Sequence, residues 1–187
     1  EFIIVSSGAI AVAKQFVKLE SKQSEIFVKQ ALASIGQPHL IRIYQEIFRE
    51  YGLLSSQCLL SYSDFEKQQS KNNIVNTINV LVNNNYIPII NENDTVATDE
   101  IQFGDNDKLA ALTATLLNVD LLLIATNTNG VYTKESIKNN APKTIQEVKN
   151  FKDLKNEVVN SKSSHGSGGM GSKIEAAEIK GHSVIII

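Results

Sequence analysis

The chain opens on a short apolar run, Phe2 to Val5, which ends at Ser6, Ser7 and Gly8 and gives way to helical spacing from Ile10 to Val17. A run too uniform to alternate, followed by small residues and a helix, reads as a buried strand feeding that helix. Two further helical segments, Ile26 to Ile35 and Leu40 to Tyr51, are expected on either side of Gly36 and Pro38, with Gly52 closing the second. Leu53 to Leu60 predicts a strand, Ile74 to Val82 a helix ending at Asn83, and Ile87 to Ile90 a third strand. Pro88 is tolerable there only near the strand start or where its missing donor faces no partner. Asn91 to Gly104 reads as a loop or small hairpin, Leu109 to Leu117 as a helix, and Asp120 to Ala125 as a fourth strand. A short helix starting near Lys173 and a strand over Val184 to Ile187 close the pattern, while the polar, lysine-rich stretch Lys134 to Asn160 is expected to be a peripheral excursion. Apolar strands each followed by a helix indicate a parallel sheet covered on both faces, hence the α/β class.

The 187 residues carry 18 Lys plus Arg against 20 Asp plus Glu, a formal net charge of -2, which argues against a broad polyanion-binding surface. With 42% apolar residues the chain can fill an ordinary core, so a disordered tail protein is excluded. Cys58 is the single cysteine and has no internal disulfide partner. It lies in an apolar strand, as a small core residue would. No basic leader precedes a cleavable apolar segment and no apolar run approaches about 18 residues, so a cytoplasmic soluble protein without membrane or nucleic-acid partners is expected. His39, His165 and His182 show no metal-ligand spacing. The chain starts and stops on apolar strands, which predicts that further segments of the domain lie outside the sequence.

In an open parallel sheet ligands bind beyond the carboxyl ends of the strands. Ser6, Ser7, Gly8 and Ala9 follow the first strand at a helix start, where backbone N–H groups favour an anion and where Ser7 could equally cap the helix. Asn91-Glu92-Asn93-Asp94-Thr95 concentrates carboxylates and amides at the end of the third strand. Gly104-Asp105-Asn106-Asp107 stands directly ahead of the helix carrying Leu109, with Asp105 placed to cap it. Two such clusters at strand-helix junctions suit the amino and carboxyl groups of a small polar substrate. Gly166-Ser167-Gly168-Gly169-Met170-Gly171-Ser172-Lys173 is a glycine-rich loop opening a helix; its backbone donors and Lys173 suit phosphate, although the spacing is not that of a P-loop.

Together, Val5 to Ala11, Ile89 to Ala97, Gly104 to Asp107 and Gly168 to Lys173 resemble the glutamate-phosphorylating branch of the amino acid kinase family. The resemblance extends over nearly the whole chain, including Lys29-Gln30 through Gly36-Gln37. It implies a three-layer αβα sandwich with a mainly parallel central sheet, here lacking the family's first strand and the lysine and glycine it carries. It implies a single incomplete kinase domain over residues 1–187, with 1–118 mainly the amino-acid half and 119–187 mainly the nucleotide half. The implied reaction moves the ATP γ-phosphoryl group, with Mg²⁺, to the side-chain carboxylate of L-glutamate, the first step of proline biosynthesis. Ser7, Asp94 and Asn106 would then hold glutamate, with the Gly8 and Ala9 backbone near the acceptor carboxylate. Asp107 would orient phosphate-contacting lysines, Lys173 among them, and Ser167, Gly168, Gly169, Met170, Gly171, Ser172 and Lys173 would form the nucleotide loop. Thr126 and Asn127 would lie by the nucleotide, Asn127 standing where the family usually has aspartate. Proline as feedback inhibitor and homo-oligomerisation are family expectations. A different acceptor within the family, and a noncatalytic glutamate or proline sensor, are the alternative readings.

Overall fold

A computed structural model describes residues 1–20, 24–97, 106–148, 151, 154, 169–181 and 183–187. They form two compact units, Glu1–Asn106 and Asp107–Ile187. The division expected at 118/119 was one of function; the units divide at the start of the helix that follows Asn106.

In the first unit, β1 (Ile4–Val5) leads into α1 (Ala9–Ala13), and the long α2 (Glu25–Glu50) precedes β2 (Leu54–Leu60). A 3₁₀ turn over Tyr62–Phe65, then α3 (Gln68–Asn83) and β3 (Tyr86–Glu92), follow among the described residues. The strands lie in the order β1-β3-β2, and both ladders are parallel. Ile89 and Ile90 of the central strand are fully buried, as are Ile78 of α3 and Ala13 of α1.

Two sequence expectations change here. The helices expected on either side of Gly36 and Pro38 are one helix of 26 residues. Pro38 removes the donor that would meet the Ser34 carbonyl, but burial of Leu32, Ala33, Leu40 and Ile41 on both sides holds the helix through that gap. Gly36 is not a stop: a β-carbon there would lie 1.8 Å from the Ala9 carbonyl oxygen, so it is the point where α1 crosses α2 in contact with bare backbone. Gly52 does close α2, at φ +69°, with its N–H donating to the Arg49 carbonyl. The second change is that β3 continues through Asn91 and Glu92, which were expected in a loop.

Pro88 fits the central strand by direction. The Ser6 N–H donates to the Ile90 carbonyl and the Asn93 N–H to that of Leu60, so even-numbered residues of β3 turn their peptide groups toward β1. The missing donor of Pro88 therefore faces the flank ahead of Ile4, where the β1 ladder has not begun.

In the second unit, α4 (Asp107–Leu116), β4 (Leu122–Ile124), α5 (Lys134–Lys138), α6 (Met170–Lys180) and β5 (Val184–Ile186) follow in order. β4 and β5 pair in parallel. Ala111, Ile124 and Ala176 form one core cluster with Leu122, Val184 and Ile186 against it. Val131, Leu154 and Ile174 form another, joined by Ile145, Phe151 and Met170, so part of the excursion expected to be peripheral contributes to the core. Helix α6 begins at Met170 rather than near Lys173, which makes it 11 residues long and puts Gly171, Ser172 and Lys173 in its first turn rather than in a loop.

Candidate functional site

Within the first unit, the C-terminal ends of β1 and β3 bring three separated parts of the sequence together. Asn91, 2% exposed at the end of β3, receives the backbone N–H of Glu92 on its Oδ1 at 2.9 Å and donates from Nδ2 to Gln37 Oε1 at 2.6 Å. Asn106 donates from Nδ2 to the same Asn91 Oδ1, at 2.6 Å, and to the Ser6 carbonyl. Both protons of that amide are used on protein oxygens, and its own Oδ1 has no partner among the described residues.

Ser7 is exposed, and its hydroxyl has no partner among the described residues. The cap reading for Ser7 is not met: α1 is capped by Gly8 without any side-chain bond. Gly8 sits at φ +109°, a backbone conformation that residues with a β-carbon rarely adopt. Ala9 follows it, buried, as the first residue of α1.

Asp94 lies just beyond β3, half-buried and without a hydrogen-bond partner among the described residues, and burial pushes its carboxyl above the ordinary value of 3.8. An unsatisfied carboxylate there favours a cation. Glu92 is 3% exposed and neither carboxylate oxygen finds a partner among the described residues. Alternation along β3 puts its side chain on the face opposite that of Asn91. The turn after β3 is tied to α2: Thr95 Oγ1 lies 2.9 Å from Ser34 Oγ, and Gln30 Nε2 donates to the Ala97 carbonyl at 3.4 Å.

The second unit carries a half-buried ion pair. Lys173 Nζ reaches Asp107 Oδ1 at 3.1 Å and Oδ2 at 2.9 Å. Ser172 Oγ stands 2.9 Å from Asp107 Oδ2 and 2.8 Å from the Gly169 carbonyl, and its one proton serves either. Helix α6 therefore presents Ser172 and Lys173 to the first residue of α4, while Met170 packs into the core. Gly169 is extended, at φ -119°, a conformation open to any residue. Thr126 follows β4; its N–H donates to the Ile187 carbonyl at 2.6 Å, and Asn127 beside it is exposed. Ser167, Gly168, Gly104, Asp105, His165 and His182 lie outside the described residues. His39 is on α2, exposed, with its ring 4.5 Å from that of Phe16. Burial raises the Cys58 thiol above its ordinary value of 9.0, which suits an inert residue.

Sequence reasoning had singled out Asn91 only as part of the Asn91–Thr95 cluster and had given no site role to Gln37, Ser34 or Tyr44. The available signal was the spacing of Gln30, Ser34, Gln37 and Tyr44 at i, i+4, i+7 and i+14 along α2.

The chain belongs to the amino acid kinase family, whose model matches residues 1–185. Among curated relatives, it is 42% identical over 180 residues to a glutamate 5-kinase from Thermoanaerobacter sp. (strain X514), covering 96% of this chain and 48% of that protein. A glutamate 5-kinase from Proteus mirabilis is 41% identical, with 98% and 50% covered. One from Clostridium perfringens is 39% identical, with 96% and 68% covered. The chain thus spans about half the length of the first two. Among the described residues, no helix is long and apolar enough to cross a membrane.

Proposed function

We propose that this chain carries the glutamate- and nucleotide-binding machinery of an ATP-dependent kinase that phosphorylates the side-chain carboxylate of L-glutamate. The observation that carries this reading is the junction of Ser6, Asn91 and Asn106, which leaves Asn106 Oδ1 without a partner among the described residues, as Asp94 just beyond β3 is. Both groups suit the ammonium of an amino acid. Identity to proteins named glutamate 5-kinase over nearly the whole chain supports the acceptor.

The acceptor is an anion at neutral pH and needs no general base. One of its oxygens forms the new bond to the γ-phosphorus while the bond from that phosphorus to the β–γ bridging oxygen breaks, and ADP leaves with the electron pair. Two anions must be brought together, so fixed positive charge and in-line placement dominate. In this reading Ser7, Asp94 and Asn106 hold glutamate, and the Gly8 and Ala9 backbone lies near its acceptor carboxylate. Lys173, aimed by Asp107, takes up phosphate charge. Thr126, Asn127 and the segment Ser167 to Lys173, with Gly168, Gly169, Met170, Gly171 and Ser172, contact the nucleotide.

Mg²⁺ bound with the nucleotide would supply further neutralisation of phosphate charge beside Lys173. Among the described residues there is no group of three His, Cys, Asp or Glu placed to hold a metal. A cytoplasmic location, self-association and inhibition by proline belong to the same proposal.

The test is trapping of glutamyl 5-phosphate with hydroxylamine in the full-length protein, supplied with ATP, Mg²⁺ and glutamate. A glutamate-dependent hydroxamate is expected. Calorimetric binding of glutamate and an ATP analogue without product would instead favour a sensor, and a hydroxamate formed only with another carboxylate would assign a different acceptor.

A further inference from the structure

Helix α2 lays a polar stripe along the first unit. Gln30, Ser34, Gln37 and Tyr44 recur at i, i+4, i+7 and i+14, with buried Ile41 between the last two, spacing that keeps them on one face. Each meets a different point of the candidate acceptor site: Gln30 the Ala97 carbonyl, Ser34 the Thr95 hydroxyl, Gln37 the Asn91 amide, and Tyr44 the Ser6 hydroxyl at 2.9 Å.

The amide chain Gln37–Asn91–Asn106 has a direction fixed by backbone at Asn91 and at Asn106. The Glu92 N–H can only donate, so Asn91 turns Oδ1 to it and must send Nδ2 toward Gln37. The Ser6 carbonyl can only accept, so Asn106 turns Nδ2 to it and to Asn91 Oδ1. Gln37, 8% exposed, is then required to face Asn91 with its oxygen. Its own Nε2 is buried with no partner among the described residues, so Gln37 bears the cost of an unsatisfied donor while contributing one acceptor.

We infer that Gln37 is a positioning residue of the acceptor site: by accepting Asn91 Nδ2 it locks Asn91, and through it Asn106, in the orientation that offers Asn106 Oδ1 to the ammonium of the amino-acid substrate. The identity of the ligand rests on the glutamate reading above; the lock itself rests on the hydrogen bonds alone.

The experiment uses the full-length protein and two readouts. With Gln37→Leu, the KM for glutamate should rise roughly tenfold, the size of one lost polar contact, while kcat and the KM for ATP stay within about twofold. Gln37→Glu keeps an oxygen toward Asn91 and should restore the glutamate KM to within about threefold of the parent. Independently of activity, the side-chain NH₂ of Asn106 in ¹⁵N NMR spectra, assigned from its loss in Asn106→Asp, should exchange slowly in the parent and in Gln37→Glu and quickly in Gln37→Leu. Should Gln37→Leu not fold, the unbranched Gln37→Met takes its place. A folded Leu or Met variant whose Asn106 amide exchange matches the parent overturns the lock. A parent protein that forms no glutamate-dependent hydroxamate overturns the substrate reading instead, and the exchange measurement still decides the role of Gln37.

Discussion

Lys173 and Asp107 form a pair in which each limits the other's freedom: the ammonium straddles both carboxylate oxygens, and both side chains are largely shielded, 17% and 13% exposed. A cation held at fixed height above the start of a helix is ready to meet phosphate without reorganising. Lys173→Ala should lower turnover about 10²- to 10³-fold with little change in the KM for glutamate, measured by hydroxamate formation at saturating ATP. Asp94 behaves differently because its burial is not compensated by any partner among the described residues. With its carboxyl raised above 3.8, the native state binds more protons than the unfolded chain just above that pH. Its contribution to stability is then most favourable below 3.8 and is lost as pH rises through the raised folded value. Asp94→Asn should make the ligand-free protein more stable at neutral pH, by thermal unfolding, yet raise the glutamate KM well above the parent value. In the parent, glutamate binding should weaken as pH falls toward the raised Asp94 value, because only the ionised form attracts the ammonium. Asp94, Asn106 and Asp107 could be picked out in the sequence because charged and amide residues after an apolar strand are conspicuous. Gln37 could not, because one glutamine beside a proline reads as a solvated helix position; only the hydrogen bond to Asn91 shows that it faces inward.

At the level of elements, the crossing of α1 and α2 has no room for a side chain. Gly36→Ala would put a methyl into the Ala9 carbonyl, and since backbone cannot yield as a side-chain tip can, α1 must shift. Overpacking of this kind costs about 1–3 kcal/mol. The thermal midpoint should fall by roughly 2–12 °C, and a variant melting with the parent would show that α1 moves freely. The strands were legible as apolar runs, with ends misplaced by a few residues, because Asn91 and Glu92 continue a ladder that only the neighbouring strands reveal. The break expected at Gly36 and Pro38 failed for a related reason. Both residues end helices when nothing else intervenes, and here the buried residues on either side outweigh the local preference. Helix α6 starts three residues earlier than its lysine suggested, since Met170 gains a place in the core by joining it.

For the molecule as a whole, the two units predict separable responses to the two proposed substrates. Glutamate alone should slow amide hydrogen exchange in 30–44 and 86–97, and a nonhydrolysable ATP analogue alone should slow it in 170–180, as binding to the native form requires. Protection of 170–180 by glutamate alone would contradict the assignment of the two halves. The α/β class was readable from the order of runs; the boundary at Asn106 and Asp107 was not, because Gly104 to Asp107 looks like one cap, although its last two residues belong to different units. The amide relay beneath the proposed acceptor site responds to solvent conditions differently from Asp94. A glutamine, two asparagines and a main-chain carbonyl have no proton to gain or lose across the ordinary pH range, so the scaffold is ionisation-silent. Acidification would discharge Asp94 while leaving the frame that presents Asn106 unaltered, and neutralising the solution again should restore binding at once, with no refolding delay.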